Sequence, residues 1–386
     1  MKLPFELRNC QDINVLLRVD LNMPTADGVV LSLSRWQQVL PTIKHIWSQK
    51  PKALILLTHY GQPKGYDEAY SVKHLLTYCL HDLPNIEVID TVAAAQPDSG
   101  KIYLCENVRF NANEKSNDDM VAQAYLKQID HVVFDAFSVG HREHASVCGL
   151  IKHAGSVSLG PLFKKELDGI DAAMQQPQPR LAIMGGAKIA TKLSILKKML
   201  VWADHVILGG GLANTFLQAK GYALGSSLVD HAGVEEAKAL LAKYPDKVIL
   251  PVDGITQHAQ TVEFLDTTHA LGDEQAIMDL GPRTVKLINQ YIEQAKVVIW
   301  NGPLGYYEDD RFKVATQKVA IAVAEADAYS LVGGGDSLAA IENLGLANHI
   351  NHLSTAGGAF LHYVATGSLP VINCLETRQD VLEETV

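Results

Sequence analysis

From one end of the chain to the other, short aliphatic and β-branched runs recur, each closed by a glycine or a polar residue and followed by a segment of helical length. A strand covered on both faces by crossover helices reads as a continuous apolar run, so this recurrence predicts βαβ units and parallel sheets. The first half supplies NVLLRVD (14–20), ALILLTH (53–59), IEVID (86–90), KIYLCENV (101–108) and HVVFDAF (131–137). The second supplies RLAIMGG (180–186), HVILGGG (205–211), KVILPVDG (247–254), KVVIWNG (296–302), AYSLVGGGD (328–336) and HLSTAGG (352–358). A chain of 386 residues is longer than one hydrophobic core usually serves. The expected fold is therefore α/β, with two doubly wound parallel-sheet domains over 1–159 and 180–370. Between them, 160–179 starts as an amphipathic helix with Leu162, Phe163, Leu167 and Ile170 at helical spacing and ends in a Gln/Pro stretch. That pattern predicts a stiff hinge helix rather than a free linker.

Charge narrows the choice of partners. A net charge of -10 repels nucleic acid and anionic membrane over most of the surface, so any anion must be caught by a local basic patch. The five cysteines are odd in number, scattered and form no C-x-x-C pair, which argues against a disulfide framework or a zinc site. With no signal-peptide pattern and no apolar run of bilayer length, the expected location is the cytoplasm.

In open α/β sheets ligands sit beyond the carboxyl ends of the strands, and the two halves end their strands differently. The first half places Arg18, Asp20 and Asn22, then His59, Arg109, Asp135, His141 and Arg142 there. Any one of these arginines could simply pair with a surface acid; together, in an acidic protein, they describe a site for a small, multiply charged anion. The second half ends in glycine: Gly185-Gly186, Gly209 to Gly211, Gly302, Gly333 to Gly335 and Gly357-Gly358. One glycine pair is often only a turn, whereas five let phosphates approach backbone N–H groups at helix N-termini and point to a nucleotide. Lys188 and Lys192, four residues apart after Gly186, are expected on one helical turn, reaching one phosphate chain. Asp336 is either a magnesium ligand or a helix N-cap. No Walker-type or G-x-G-x-x-G motif occurs, which removes the main support for a P-loop or nicotinamide enzyme.

Taken together the segments resemble phosphoglycerate kinases from about residue 14 to 370. The likeness is carried by RVDLNMP (18–24), THYGQPKG (58–65), ENVRF (106–110), HREHAS (141–146), KKEL (164–167), GGAKIATK (185–192), LGGGLANTFL (208–217), LPVD (250–253), DLGP (279–282), WNGPLG (300–305), GGGDS (333–337) and STAGGA (354–359). The resemblance implies reversible phosphoryl transfer between 1,3-bisphosphoglycerate and MgADP, giving 3-phosphoglycerate and MgATP, in a monomer. It implies that Asp20, Leu21, Asn22, Arg35, His59, Gln62, Arg109 and Arg142 hold phosphoglycerate. It further implies that Lys188, Lys192, Asn301, Glu308, Gly333, Gly334, Gly335, Asp336 and Ser337 hold the nucleotide, with Asp336 on Mg2+. Arg35, Lys188, Lys192, Gly357 and Gly358 would serve the transferring group, the domains would close about the 160–179 helix, and the tail 371–386 would return to the first domain.

Some positions depart from the family pattern. Gln62 replaces an arginine, Thr191 an aspartate and Ala356 the first of three glycines; FDAFS (134–138) stands for NDAFG, and Leu212 and Leu304 replace methionines. The leucines are volume-conserving and expected to be nearly neutral. Gln62 is expected to weaken substrate binding, and Ala356 to disturb the backbone if its φ must be positive. These substitutions motivate a competing reading, a weakly active or inactive paralogue that binds nucleotide or phosphoglycerate as a regulator. Gln62 alone motivates another, a different phosphorylated acid as substrate.

Overall fold

The computed structural model describes residues 3–26, 29–187, 190, 192–264 and 271–384. The chain divides into two compact units, Met1–Leu167 with Ser368–Val386, and Asp168–Gly367.

The first unit is built on a six-stranded parallel sheet whose order from edge to edge is Ile86–Ile89, Ile102–Cys105, Ala53–Leu57, Asn14–Arg18, His131–Phe134, Val157–Leu159. Successive side chains of a strand point to opposite faces, and here both faces are covered. Val15, Leu17, Leu54, Leu56, Leu104 and Val133 join one buried cluster, while Leu16, Ile55, Leu57, Tyr103, Cys105 and Val132 join another. That two-sided burial is why the strands read as unbroken apolar runs. The sixth strand, Val157–Leu159, was not anticipated; at three residues it is too short to show a pattern. The terminal helix Pro370–Glu384 belongs to this unit: Val371 N–H donates to Gly140 O at 3.1 Å, and the Arg378 guanidinium donates to Ile151 O and Gly155 O at 3.0 and 2.8 Å.

The second unit carries another six-stranded parallel sheet, ordered Val248–Ile249, His205–Leu208, Arg180–Met184, Val297–Asn301, Tyr329–Gly333, His352–Ser354. Leu181, Ile183, Ile207, Val298, Trp300 and Val332 form the core on one face. The run 247–254, expected as one strand, is two. The edge strand Val248–Ile249 ends just before Pro251, and the chain leaves the sheet there. Asp253–Thr256 then pairs antiparallel with Thr261–Glu263 and Ile277–Leu280 in a separate three-stranded sheet. Its anchor is Asp253, whose carboxylate accepts from Arg283 N and Thr284 N at 2.9 and 2.7 Å and so caps the helix Pro282–Gln294. Gly281 is required there, because a Cβ would lie 2.2 Å from Asp253 Cγ. The expected connector contains the helix Pro161–Met174, and the division between the units falls inside it.

Candidate active site

Each sheet reverses its strand order beside its first strand, in the first unit between Asn14–Arg18 and His131–Phe134, in the second between Arg180–Met184 and Val297–Asn301. Crossovers leave to opposite faces at such a point, opening a crevice at the strand ends. The chemistry-bearing residues collect there.

In the first unit the strand from Asn14 leads into Asp20, Leu21 and Asn22. Asp20, 7% exposed, accepts from Asn22 N at 2.9 Å through Oδ1, and its Oδ2 accepts from Arg35 Nη1 and from Ser138 Oγ. Asn22 Oδ1 accepts from Gly61 N at 2.8 Å. Arg35 stands in the first turn of the helix Ser34–Ser48. His59 follows the neighbouring strand, its Nδ1 3.8 Å from Asp20 Oδ1 and without a hydrogen-bond partner. Arg109, on the short turn Val108–Phe110, is 7% exposed, yet its Nε and Nη1 have no hydrogen-bond partner among the described residues. Buried donors left unpaired are costly, so this guanidinium is set up to receive an anion.

The electrostatics agree. Burial holds the His59 imidazole well below its usual range, and the charges of Arg18, Arg142, Arg109 and Arg35 push it further down. Its ring is therefore neutral at pH 7, and it reports four guanidinium charges converging on one spot. Burial lowers Arg35, Arg109 and Arg142 as well, with Arg142 adding repulsion on the first two.

Several expected rim residues have other duties. Arg18 is fully buried and donates to Ser146 O, Leu57 O and Val19 O, lowered to about 10 chiefly by burial, so it contributes field rather than contact. Asp135 is also buried; its carboxylate accepts from Thr42 Oγ1 at 2.7 Å and Phe163 N at 2.8 Å, anchoring the start of the helix from Pro161. Leu21 is a core side chain whose N–H donates to Thr58 Oγ1. Arg142 and His141 are half-buried, and Gln62 is exposed.

In the second unit a cavity of about 480 Å³ is lined by Gly186, Gly210, Gly211, Leu228, Ala276 and the strand Ile277–Leu280, Pro303 to Tyr306, Glu308 and Asp336. Backbone glycines on one side and apolar side chains on the other suit a flat heterocycle carrying phosphates. Lys192 Nζ donates to Asn301 Oδ1 at 2.7 Å and Asn301 O at 3.2 Å, while Asn301 Nδ2 donates to Gly333 O at 2.9 Å. Burial pulls the Lys192 ammonium down to about 8, against the opposing charge of Asp336. Ser337 Oγ accepts from Gly302 N at 2.9 Å. The helices Gly210–Ala219, Gly335–Asn343 and Gly358–Thr366 all start behind glycine, so no cap side chain occupies their first N–H groups. Gly334 and Gly357 need their φ of 101° and 41°, which L side chains rarely adopt.

Three expectations change here. Lys192 precedes the helix Leu193–Trp202 instead of lying on a helical turn, and Lys188, like Thr191, lies outside the described residues. Asp336 is inside the first turn and Gly334 is the N-cap, so the capping role for Asp336 is excluded. Ala356 is not among the residues with positive φ; it is 4% exposed and needs no glycine.

Asp336 and Glu308 face each other's charge across the cavity: burial first, then Glu308, raises the Asp336 carboxyl, and Lys192 opposes the rise. Two facing carboxylates favour a divalent cation, and among the described residues no cluster of three or more ligating side chains forms a closed cage. That fits Mg2+ shared between one carboxylate and nucleotide phosphates.

Sequence reasoning missed Glu114, Ser138 and Asp279. Buried Glu114 accepts from Ser146 Oγ at 2.5 Å, and Ser146 O in turn receives Arg18. Asp279 lines the cavity, accepts from Ala315 N at 3.0 Å, and is pushed up to about 6 by burial. The block DLGP carried the signal for Asp279 and the departure FDAFS that for Ser138; nothing local marked Glu114.

The chain matches the family described as phosphoglycerate kinase over residues 6–366. It is 38% identical over 375 residues to a phosphoglycerate kinase of Legionella pneumophila (strain Paris), covering 94% of each chain. The solved structure of phosphoglycerate kinase from Coxiella burnetii superposes with a TM-score of 0.84 at 34% identity, covering 96% of this chain and 98% of that one. The enzyme from Pyrococcus horikoshii OT3 gives the same TM-score and coverages at 30% identity.

Proposed function

This chain belongs to the phosphoglycerate kinase family and is a phosphotransferase, and on that premise we propose that its two crevices divide the reaction between them. The first unit takes 3-phosphoglycerate or 1,3-bisphosphoglycerate, held by Asp20, Asn22, His59, Arg109 and Arg142. The second takes ATP or ADP, held by Lys192, Asn301, Glu308 and the Gly333 to Ser337 turn. Lys188 is assigned to the nucleotide by resemblance alone.

The observation that carries this assignment is the unpartnered, buried Arg109 inside a four-guanidinium field. An acceptor carboxylate is already ionised at neutral pH, so the reaction needs no general base. A neutral His59 accords with that, leaving alignment and charge neutralisation as the catalytic means. Arg35, Lys192 and the open N–H groups behind Gly357 and Gly358 are assigned to the transferring phosphoryl group. Mg2+, held by Asp336 together with phosphate oxygens, would neutralise charge on the nucleotide. Since the two ligands are assigned to different units, transfer requires closure, with the Pro161–Met174 helix as the proposed hinge.

No helix among the described residues is long and apolar enough to cross a membrane. We place the enzyme in the cytoplasm, a reading that its five free cysteines support, and take it as a monomer on the resemblance to the family alone. The test is steady-state turnover with MgATP and 3-phosphoglycerate, coupled to reduction of the acyl phosphate, beside Arg35→Ala. Turnover that collapses in the variant supports the assignment; turnover untouched by it refutes the role of Arg35.

A further inference from the structure

Asp20 presents a problem for the proposed chemistry. It is a buried carboxylate inside an anion site, and the residue it neutralises is Arg35, the group needed elsewhere. When Arg35 turns to a ligand, Asp20 Oδ2 loses an ionic partner in a place water barely reaches. Breaking a buried pair by withdrawing one member is strongly unfavourable unless another donor remains. His59 is not that donor: its Nδ1 lies 3.8 Å from the other oxygen, Oδ1, beyond hydrogen-bond reach. Asn22 N is engaged on the other oxygen, Oδ1. The remaining described donor on Oδ2 is Ser138 Oγ.

Ser138 sits on the single turn Phe137–Val139, directly beyond the strand that flanks Asn14–Arg18 at the switch point, and it is half-buried with an ordinary backbone φ. The position is one where the family pattern has glycine, so the hydroxyl is a feature of this chain. We propose that Ser138 is a positioning residue. Its hydroxyl shares the negative charge of Asp20 Oδ2, loosens the Asp20–Arg35 pair, and retains the carboxylate when Arg35 moves to the transferring phosphoryl group. This rests on the role given to Arg35 above.

The mechanism predicts an unusual order among substitutions. Threonine keeps a hydroxyl donor. Glycine removes it but vacates room at a half-exposed place, where a water can donate instead. Alanine removes the donor and fills the room with a methyl group. Activity should therefore follow Ser ≈ Thr > Gly > Ala, an order that neither side-chain size nor helix propensity would produce.

The experiment is a double-mutant cycle with steady-state kinetics in MgATP and 3-phosphoglycerate, with thermal unfolding of every variant. Ser138→Ala is expected to lower kcat about tenfold, the scale of one hydrogen bond to a charge, and to leave the KM for MgATP unchanged. Ser138→Thr should restore kcat, and in an Arg35→Ala background Ser138→Ala should change nothing further. An unchanged kcat in Ser138→Ala overturns the inference, as does an equal loss in both backgrounds or a Ser138→Gly variant slower than Ser138→Ala. If Ser138→Ala melts early, the comparison of Ser138→Thr with Ser138→Gly decides instead. Should Arg35→Ala itself retain full turnover, the assignment of Arg35 fails before that of Ser138 is reached.

Discussion

Replacing Lys192 by methionine should make the protein more stable while destroying its activity, and the size of the gain follows from burial. The ammonium sits at about 8 in the folded chain against an ordinary 10.5. A difference of 2.5 pH units corresponds to roughly 3 kcal/mol, by which folding is weakened below pH 8. The sign is set by proton binding. Between about 8 and 10.5 the unfolded chain holds a proton the folded chain has released, so stability of the wild type rises with pH across that window. Methionine removes this cost and keeps the aliphatic stem, but it leaves Asn301 Oδ1, on a residue 4% exposed, without its donor. That loss costs about 1 kcal/mol, for a net gain of about 2 kcal/mol at pH 7. Because the cost in the wild type shrinks as pH rises, the gap between the two proteins should narrow by roughly 2 kcal/mol by pH 9.5. Urea unfolding of both proteins at the two pH values, followed by tryptophan fluorescence, measures the gap directly. A variant no more stable than wild type at pH 7, or a gap indifferent to pH, would refute the account of Lys192 as a strained, buried cation. Its turnover should fall by roughly a hundredfold or more in the same preparation.

Arg109→Ala should weaken 3-phosphoglycerate binding by about ten- to a hundredfold in calorimetry without altering MgADP affinity, since two unpartnered N–H groups of this guanidinium await an anion. Gly302→Ala forces a side chain onto a φ of 94° with its Cβ 2.6 Å from both Gly185 O and Lys192 Nζ. It should lower the unfolding midpoint by about 1–3 kcal/mol equivalent and weaken MgADP binding; unchanged nucleotide affinity would separate that turn from the site. His59 should titrate by NMR well below the ordinary imidazole range, and saturating 3-phosphoglycerate should move its pKa upward as the bound anion offsets the arginine field. A His59 that titrates at its ordinary value in the free protein would mean the four guanidiniums do not converge on it.

Much of the architecture was legible in the chain because its local and global preferences coincide. Residues 15–17, 53–57 and 297–300 are apolar throughout since both faces of their sheets are covered, and that burial prints itself on the sequence as uninterrupted runs. The glycines at 186, 302, 334 and 357 were legible for an equally local reason, their positive φ. Ala356 shows the limit of the same rule: whether a position needs glycine depends on a φ that composition does not reveal. Likewise the antiparallel strands Asp253–Thr256, Thr261–Glu263 and Ile277–Leu280 are too short to announce themselves, though the last of them supplies part of the cavity wall.

What the sequence by itself determined is the set of residue types at the strand ends: cations and an acid in the first half, glycines with Lys192 and Asp336 in the second. Only the tertiary structure decided which of these charges face a ligand and which are consumed within the protein. Arg18 and Asp135 look identical in sequence to Arg109 and Asp20, yet one pair is spent on Ser146 O, Thr42 and Phe163 N while the other surrounds the crevice. Ser138 meets Asp20 across 118 residues of chain. Such pairings depend on which strands become neighbours at the switch point, a property of the whole sheet that no local stretch of sequence encodes.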